Sequence, residues 1–351
     1  MALFFSPVRP DHESASPAPW TFICLFAFDA LSRSLLLTLV PLKAYTLLQD
    51  AKLVSLVYFS TAITGLLTIL TIPQLADKTE RRTVLFIGTL LHVTSIFLLG
   101  LNYVPSLICG LVLQGVATAS LDFALNLYLL DNIPRRSLQS FEAKRLVFAG
   151  GCFAVGPWIG VSLGQHVAEK AGFWMSGLSV LSLVLVFVLT GIINTERTEL
   201  ASTPLPNPLN AVRRFVTQPR LRLAWLLAFG RNGWWLIYFI YAPIYAKQAG
   251  YGPEVGGFIV TLGMLPLLLA RVWARLARRY TMRKLLMLAY GSTAFLAMTS
   301  VFMTFRHVGP IIMPGIMTIA LWFLPLPFVF IISGLLTLCM AVLARYLPRG
   351  M

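Results

Sequence analysis

A few charged residues in this sequence lie inside long apolar runs, and their spacing limits the chemistry open to them. Asp29 and Arg33 are four residues apart, so a helix places them on one face within pairing distance. Paired, they cancel much of each other's burial cost. Otherwise the carboxyl can carry a proton and the guanidinium can hold an anionic group. Asp122 and Asn126 repeat the same spacing, and Arg231 and Asn232 are flanked by Gly230 and Gly233. Trp234, Trp235, Tyr238 and Tyr241 supply aromatic surface close by, although aromatic residues in such runs also serve packing. A charge at the centre of a bilayer costs roughly 2.5–3.5 kcal/mol on insertion scales, which makes charges in spanning segments functional candidates. Asp29, Arg33, Asp122, Asn126, Arg231, Asn232 and Trp235 are therefore the expected lining of a substrate and proton cavity.

The elements that must position these residues follow from composition. Of 351 residues, 58% are hydrophobic and only 12% charged, whereas a soluble domain carries about a quarter charged residues. The mean hydropathy is +0.79. Several runs reach the ~20 apolar residues that cross a ~30 Å hydrocarbon core. The sequence predicts spans at 20–42, 53–74, 83–101, 104–130, 145–167, 172–193, 222–246, 254–277 and 284–303. A last stretch, 308–345, has room for two spans only if they are tight, with Pro325 and Pro327 near the break. Lipid leaves backbone polar groups no outside partner, so the spans must be helices. The alternating short segments of a membrane barrel do not occur.

The net charge of +15 marks topology rather than nucleic-acid binding, because its basic residues alternate between loops. One set of loops holds Lys78, Arg81 and Arg82, then Arg135, Arg136, Lys144 and Arg145, then Arg213, Arg214 and Arg220, then Arg275 to Lys284. The opposite set holds little beyond Lys52, Lys170, Lys247 and Arg306. By the positive-inside rule the first set and the N-terminus are cytoplasmic, which predicts a multi-pass protein of the cell (inner) membrane. The first apolar run, near Trp20, is too long for a cleavable signal. Cys24, Cys109, Cys152 and Cys339 all fall in apolar runs, with neither a disulfide framework nor metal-ligand spacing. His92 and His166 also lack such spacing, so no metal and no cofactor is expected.

Four units follow: a cytoplasmic tail at 1–19, a six-helix bundle at 20–193, a Pro- and Arg-containing cytoplasmic linker at 194–221, and a second bundle at 222–351. The halves repeat. Leu75-Ala76 corresponds to Leu276-Ala277, and Ala27-Phe28 corresponds to Ala228-Phe229 at the same shift. That register sets Gly230 opposite Asp29 and puts Arg231 and Asn232 at a similar depth, facing it across the bundles.

The loop Pro73-Gln74-Leu75-Ala76-Asp77-Lys78-Thr79-Glu80-Arg81-Arg82 resembles the major facilitator superfamily signature Gly-x-Leu-Ala-Asp-Arg-x-Gly-Arg-Arg. Pro73 and Glu80 stand where the family has glycines. The resemblance implies an all-α, two-bundle transporter in which Asp77, Lys78, Arg81 and Arg82 form a cytoplasmic gating loop. Gln114-Gly115 in the fourth span is similar to the family's Arg-x-x-Gln-Gly-x-Gly-Ala-Ala string, with Leu111 at the Arg position. In proton-coupled members that Arg is linked to proton transfer, so its absence puts ordinary proton antiport in doubt. Gly156-Pro157-Trp158-Ile159-Gly160 is similar to the family's antiporter motif, with Val161 replacing its last glycine. Gln114, Gly115, Gly156, Pro157 and Gly160 form the expected helix-packing motif, and the string Gly156-Pro157 to Gly160 tilts the reading toward efflux.

Val308-Gly309-Pro310 looks like a second copy of Val155-Gly156-Pro157, displaced by about one span from the register above. The second bundle is therefore expected to be incomplete, giving about eleven spans, with twelve as the alternative. The expected activity is secondary transport of a small organic solute by alternating access, with efflux ahead of uptake. A coupling proton and the lipid bilayer are the further partners, and the chain acts as a monomer. The alternatives are an uptake permease and a degenerate protein that moves nothing. An enzyme is not expected. Gly160-Val161-Ser162-Leu163-Gly164 fits Gly-x-Ser-x-Gly, but that motif needs a strand-to-helix turn. Single cysteines replacing Lys78 and Arg279 should label from the cytoplasm, and one at Arg349 from the opposite side. Cytoplasmic labelling of Arg349 would instead give an even span count.

Overall fold

The computed structural model describes residues 19–79, 81–191 and 216–304, with isolated positions at 335, 337–339 and 342. Among these, the chain forms α-helices and one 3₁₀ turn, with no strand. The helices are α1 (Pro19–Leu48), α2 (Ala51–Lys78), α3 (Arg81–Leu99), α4 (Val104–Asn132), α5 (Arg135–His166) and α6 (Ala171–Leu189). After the linker come α7 (Pro219–Gln248), α8 (Pro253–Met264), α9 (Ala270–Arg279) and α10 (Met282–Thr304). Among the described residues, α1 to α6 are long and apolar enough to cross a membrane. The expected linker and the final stretch 308–345 lie almost wholly outside the described residues, and so does the span count that depends on them.

Proline placement explains several boundaries. Pro105, Pro219 and Pro253 sit in the first turns of α4, α7 and α8, where a missing N–H costs nothing. Pro134 caps α5, which starts at Arg135, ten residues before the sequence expectation, because its basic first turns are helical although not apolar. Pro41, Pro73, Pro157 and Pro243 lie inside helices, a position that membrane helices tolerate when neighbours satisfy the freed carbonyls. Pro266 has a larger effect. The expected single span at 254–277 breaks into α8, a 3₁₀ turn at Leu265–Leu269, and α9. Proline cannot donate to the preceding turn, and the indole N–H of Trp273 bonds the Pro266 carbonyl at 2.7 Å.

In lipid, leaving the solvent does not drive helices together, so close packing and polar contacts must. The first bundle packs α3 on α4, α1 on α5 and α6, and α2 on α4. Its inner core includes Phe22, Leu25, Leu85, Leu121, Leu125 and Phe187, all fully buried. A second core joins the halves: Leu36, Val40 and Ala44 of α1 meet Ile237, Ile240, Tyr241 and Ile244 of α7. Helix α5 also packs against α8 and the 3₁₀ turn. Outward, large residues such as Leu90, Phe97, Leu178 and Phe295 are exposed, a surface that suits acyl chains and not water.

Small residues set the closest approach. A methyl group added at Gly156 would collide with the Ser34 hydroxyl, and one at Gly160 with the Leu35 carbonyl. Helix α5 therefore lies directly on the α1 backbone. At Gly164, one turn further on, an added methyl would make only ordinary contact, 3.6 Å from the Glu169 carbonyl. Overpacked cores lose about 1–3 kcal/mol. Gly160→Val should lower the melting temperature of the detergent-purified protein by several degrees, while Gly164→Ala leaves it unchanged. Equal effects would show that the α1–α5 contact does not limit stability.

Candidate functional site

Helix α1 presents Asp29 and Arg33 on one face, as the four-residue spacing requires. The Arg33 guanidinium bonds the Asp29 carboxylate at 2.7 and 3.1 Å. Nη1 and the same Nη2 that meets Asp29 make a forked contact with both oxygens of Asp122 on α4, at 2.8 and 2.7 Å. One cation thus bridges two anions across two helices, leaving the triad with a formal charge of −1. The Asp29 side chain is only 7% exposed, whereas that of Asp122 is 48% exposed. The excess negative charge accordingly has an open side at Asp122. Because Arg33 spends its donors on both carboxylates, it is not a ready partner for an incoming anion.

The polar chain continues from Asp122. Asn126 donates to the Asp122 carbonyl at 2.7 Å, and its own side-chain oxygen accepts from Arg145 of α5 at 3.3 Å. Arg145 pairs with Glu142 at 2.7 Å and covers the Phe26 ring at 4.5 Å. A line of charged and amide groups therefore runs from the interior of α1 and α4 toward the basic start of α5. Sequence spacing singled out both ends of the Asp122–Asn126 pair. It did not connect them to Arg145 and Glu142, because that link depends on how α4 and α5 meet.

A second polar node lies on the other side of α1. The Ser32 hydroxyl contacts His92 Nε2 at 2.9 Å and the Ser176 hydroxyl at 2.8 Å, and Ser176 donates to the Ser32 carbonyl at 2.8 Å. All three side chains are fully buried, and they tie α1 to α3 and α6. His92 thus sits in a serine cluster. The only sequence sign of this node was a serine beside Arg33 and a histidine in an apolar run.

Arg231 and Asn232 do not join the triad. Ile237, Ile240, Tyr241 and Ile244 face α1 and α2, and the helical period puts Arg231, Asn232, Trp235 and Phe239 on the opposite face of α7. There they line an open hollow of about 440 Å³ together with Leu236 and Leu267. Trp235 and Phe239 meet edge to face with ring centres 5.0 Å apart.

At the gating loop, Asp77 and Lys78 close α2, and their side chains lie outside the described set. Arg81 pairs with Asp131 at the end of α4. That partner follows from the antiparallel run of α3 and α4 over a short turn. Gln114 and Gly115 sit on α4, where a methyl added at Gly115 would come no closer than 3.7 Å to the Thr61 carbonyl. The halves are joined by four polar contacts at the opposite end of the bundle. Lys247 bonds Thr46 at 2.5 Å, Gln248 bonds Tyr45 at 2.9 Å, Tyr241 meets Ser55 at 2.7 Å, and Glu254 meets His166 at 2.8 Å. Among the described residues, no group of His, Cys, Asp and Glu is arranged to hold a metal ion.

A multi-pass helical protein with two halves, charge clusters inside its spans and polar ties between the halves has the architecture of a membrane transporter. The Major Facilitator Superfamily model matches residues 22–307, and the chain belongs to that family. The resemblance read from the loop at Pro73–Arg82 is thereby borne out. The fold is shared with a mutant of the peptide transporter POT in complex with sulfate, at a TM-score of 0.62 and 14% identity over 94% of this chain and 82% of that one. A D-xylose-proton symporter aligns at 0.59 and 11% identity, over 94% and 87%. The nucleoside transporter NupG aligns at 0.57 and 12% identity, over 93% and 80%. No curated protein is similar to the chain at a significant level.

Removing one partner of a buried ion pair costs about 3–5 kcal/mol, because a charge is stranded. Arg33→Gln should therefore strongly destabilise the purified protein, and Asp29→Asn combined with Arg33→Gln should recover much of the loss. A double-mutant cycle on melting temperature measures the coupling, and additive effects would mean that the triad is not energetically linked.

Proposed function

We propose that the chain is a secondary active transporter that moves a small organic solute by alternating access, with efflux favoured over uptake. The observation that carries this reading is the position of the four polar ties. All lie where α1, α5 and α7 end and where α2 and α8 begin, away from the basic loops. With those loops cytoplasmic, the halves are latched on the outer side in an inward-facing state. Three of the ties are exposed and the fourth, between Tyr241 and Ser55, is a buried bond between neutral hydroxyls. Each is worth about 1 kcal/mol, so the set can open without disrupting either bundle. Arg81 and Asp131, beside the gating loop, lie at the other end.

The triad of Asp29, Arg33 and Asp122 serves as the coupling site in this reading. Protonating one of its carboxylates removes the net negative charge and frees Arg33 to choose a single partner, which changes the tie between α1 and α4. The chain of Asn126, Arg145 and Glu142 supplies a polar route from the triad to the cytoplasmic side. Gly156, Pro157 and Gly160, with their likeness to the antiporter motif, favour efflux, and with Leu111 in place of the family's proton-linked Arg the triad on α1 and α4 takes over the proton coupling.

The gating half of the proposal is tested by a cysteine pair replacing Thr46 and Lys247 in a cysteine-free protein. Oxidative cross-linking should stop solute flux in proteoliposomes, and reduction should restore it. Flux that continues through the cross-linked protein would reject the latch. Asp29→Asn should abolish flux driven by a pH gradient while leaving solute exchange at equal pH. Loss of both would assign Asp29 to solute binding instead.

A further inference from the structure

Among the described residues, Arg231 is an intramembrane cation outside the coupling site. Arg231 lies about 18 Å along α7 from Pro219 and about 25 Å from Gln248, at ~1.5 Å per residue. It is too deep for its side chain to reach either helix end easily. Other arginines are answered by acids: Arg33 within the bundle by Asp29 and Asp122, Arg145 in the basic part of α5 by Glu142, and Arg81 at the start of α3 by Asp131. Among the described residues, Arg231 has only the side-chain oxygen of neighbouring Asn232, at 3.4 Å, and no carboxylate within ion-pair distance. Its side chain is exposed to the hollow, so its donors are open to an anion that arrives and leaves.

The surroundings specify what else that anion carries. Trp235 and Phe239 continue the same face of α7 one and two turns on, and Leu236 and Leu267 complete an apolar wall. The hollow of about 440 Å³ falls within the ~300–1,000 Å³ typical of small-molecule sites. Its lining has one charged group at one end and apolar surface elsewhere. A single planar guanidinium matches a carboxylate through two parallel hydrogen bonds. Among the described side chains that line the hollow there is no second cation, and Arg33 is already engaged by its two carboxylates.

We infer that this hollow binds the solute, and that the solute is an amphiphilic monoanion with a carboxylate on an aromatic or apolar body. The inference rests on the transport reading for its purpose, but not for the binding itself. Arg231 holds the carboxylate, Asn232 adds a neutral hydrogen bond, and Trp235 with Phe239 packs on the body. An organic cation of the same shape is repelled, and a neutral alcohol gains only the apolar contacts.

The test uses the full chain in lipid nanodiscs with three probes of matched shape: phenylpropionate, phenylpropanol and phenylpropylamine. Equilibrium binding should favour the acid by about tenfold or more over the other two, the value of one charge-assisted contact. Arg231→Gln should erase that preference, Arg231→Lys should keep part of it, and Trp235→Leu should weaken acid and alcohol alike. Melting curves identify any variant that has not folded, and Arg231→Lys then carries the comparison. Equal or better binding of the amine, or unchanged acid affinity in folded Arg231→Gln, would overturn the inference. Flux in proteoliposomes separates this from the wider proposal. If the acid binds through Arg231 but is not moved, the site stands and transport fails. If a neutral or cationic solute is moved equally well by Arg231→Gln, transport stands and the anion site fails.

Discussion

The constraint that organises this protein is the absence of water around its charges. An arginine on the surface of a soluble domain costs nothing to leave alone, whereas Arg33 must be answered within the bundle. It is answered twice, by Asp29 on its own helix and by Asp122 on α4. That arrangement fixes the rotation of both helices, because turning either by a fraction of a turn would strand a charge. The contact of α1 with α5 and α6, the serine cluster around His92 and the polar line to Arg145 all presuppose this rotation. The triad is thus a structural register first, and its chemistry follows from holding one carboxylate more than it needs.

Close packing supplies what charge pairing does not. With lipid as solvent, α1 and α5 gain little from apolar contact alone, so Gly156 and Gly160 let backbone meet side chain and carbonyl directly. The core that joins the halves is different in kind. It is made of large side chains, Ile237, Ile240, Tyr241 and Ile244 against Leu36 and Val40, and it is edged by weak polar ties. A backbone-on-backbone seam within one bundle and a side-chain seam between bundles divide the molecule into parts that hold together and parts that can separate.

Much of the fold was legible in the sequence because lipid enforces simple rules. Among the described residues, apolar run length located eight of the ten α-helices within a few residues at most ends and merged the other two, α8 and α9, into one span. The basic loops ordered them. The misses share a cause. Helix α5 begins early because Arg135 to Lys144 are helical without being apolar, which hydropathy cannot register. The break at Pro266 was overlooked because Pro41, Pro73, Pro157 and Pro243 show that a proline in a span does not by itself end a helix. At the candidate site, i to i+4 spacing found the Asp29–Arg33 pair, since that contact is local. The fork to Asp122, the link from Asn126 to Arg145 and the Arg81–Asp131 pair join residues distant in sequence, and only helix placement brings them together. The internal repeat suggested that Arg231 would face Asp29, but depth along a helix does not fix direction around it.

The glycine seam between α1 and α5 also bears on how such a protein can diversify. A position where an added methyl meets a backbone carbonyl, as at Gly160, accepts essentially one residue type, so the first bundle is nearly closed to variation along that line. The outward face of α7 carries no such restriction. Trp235, Leu236 and Phe239 border open volume, and exchanging them alters shape without disturbing a seam. On the proposed reading, a lineage built on this scaffold changes what it recognises through a handful of side chains on one helix, while the residues on α1, α4 and α5 are inherited intact.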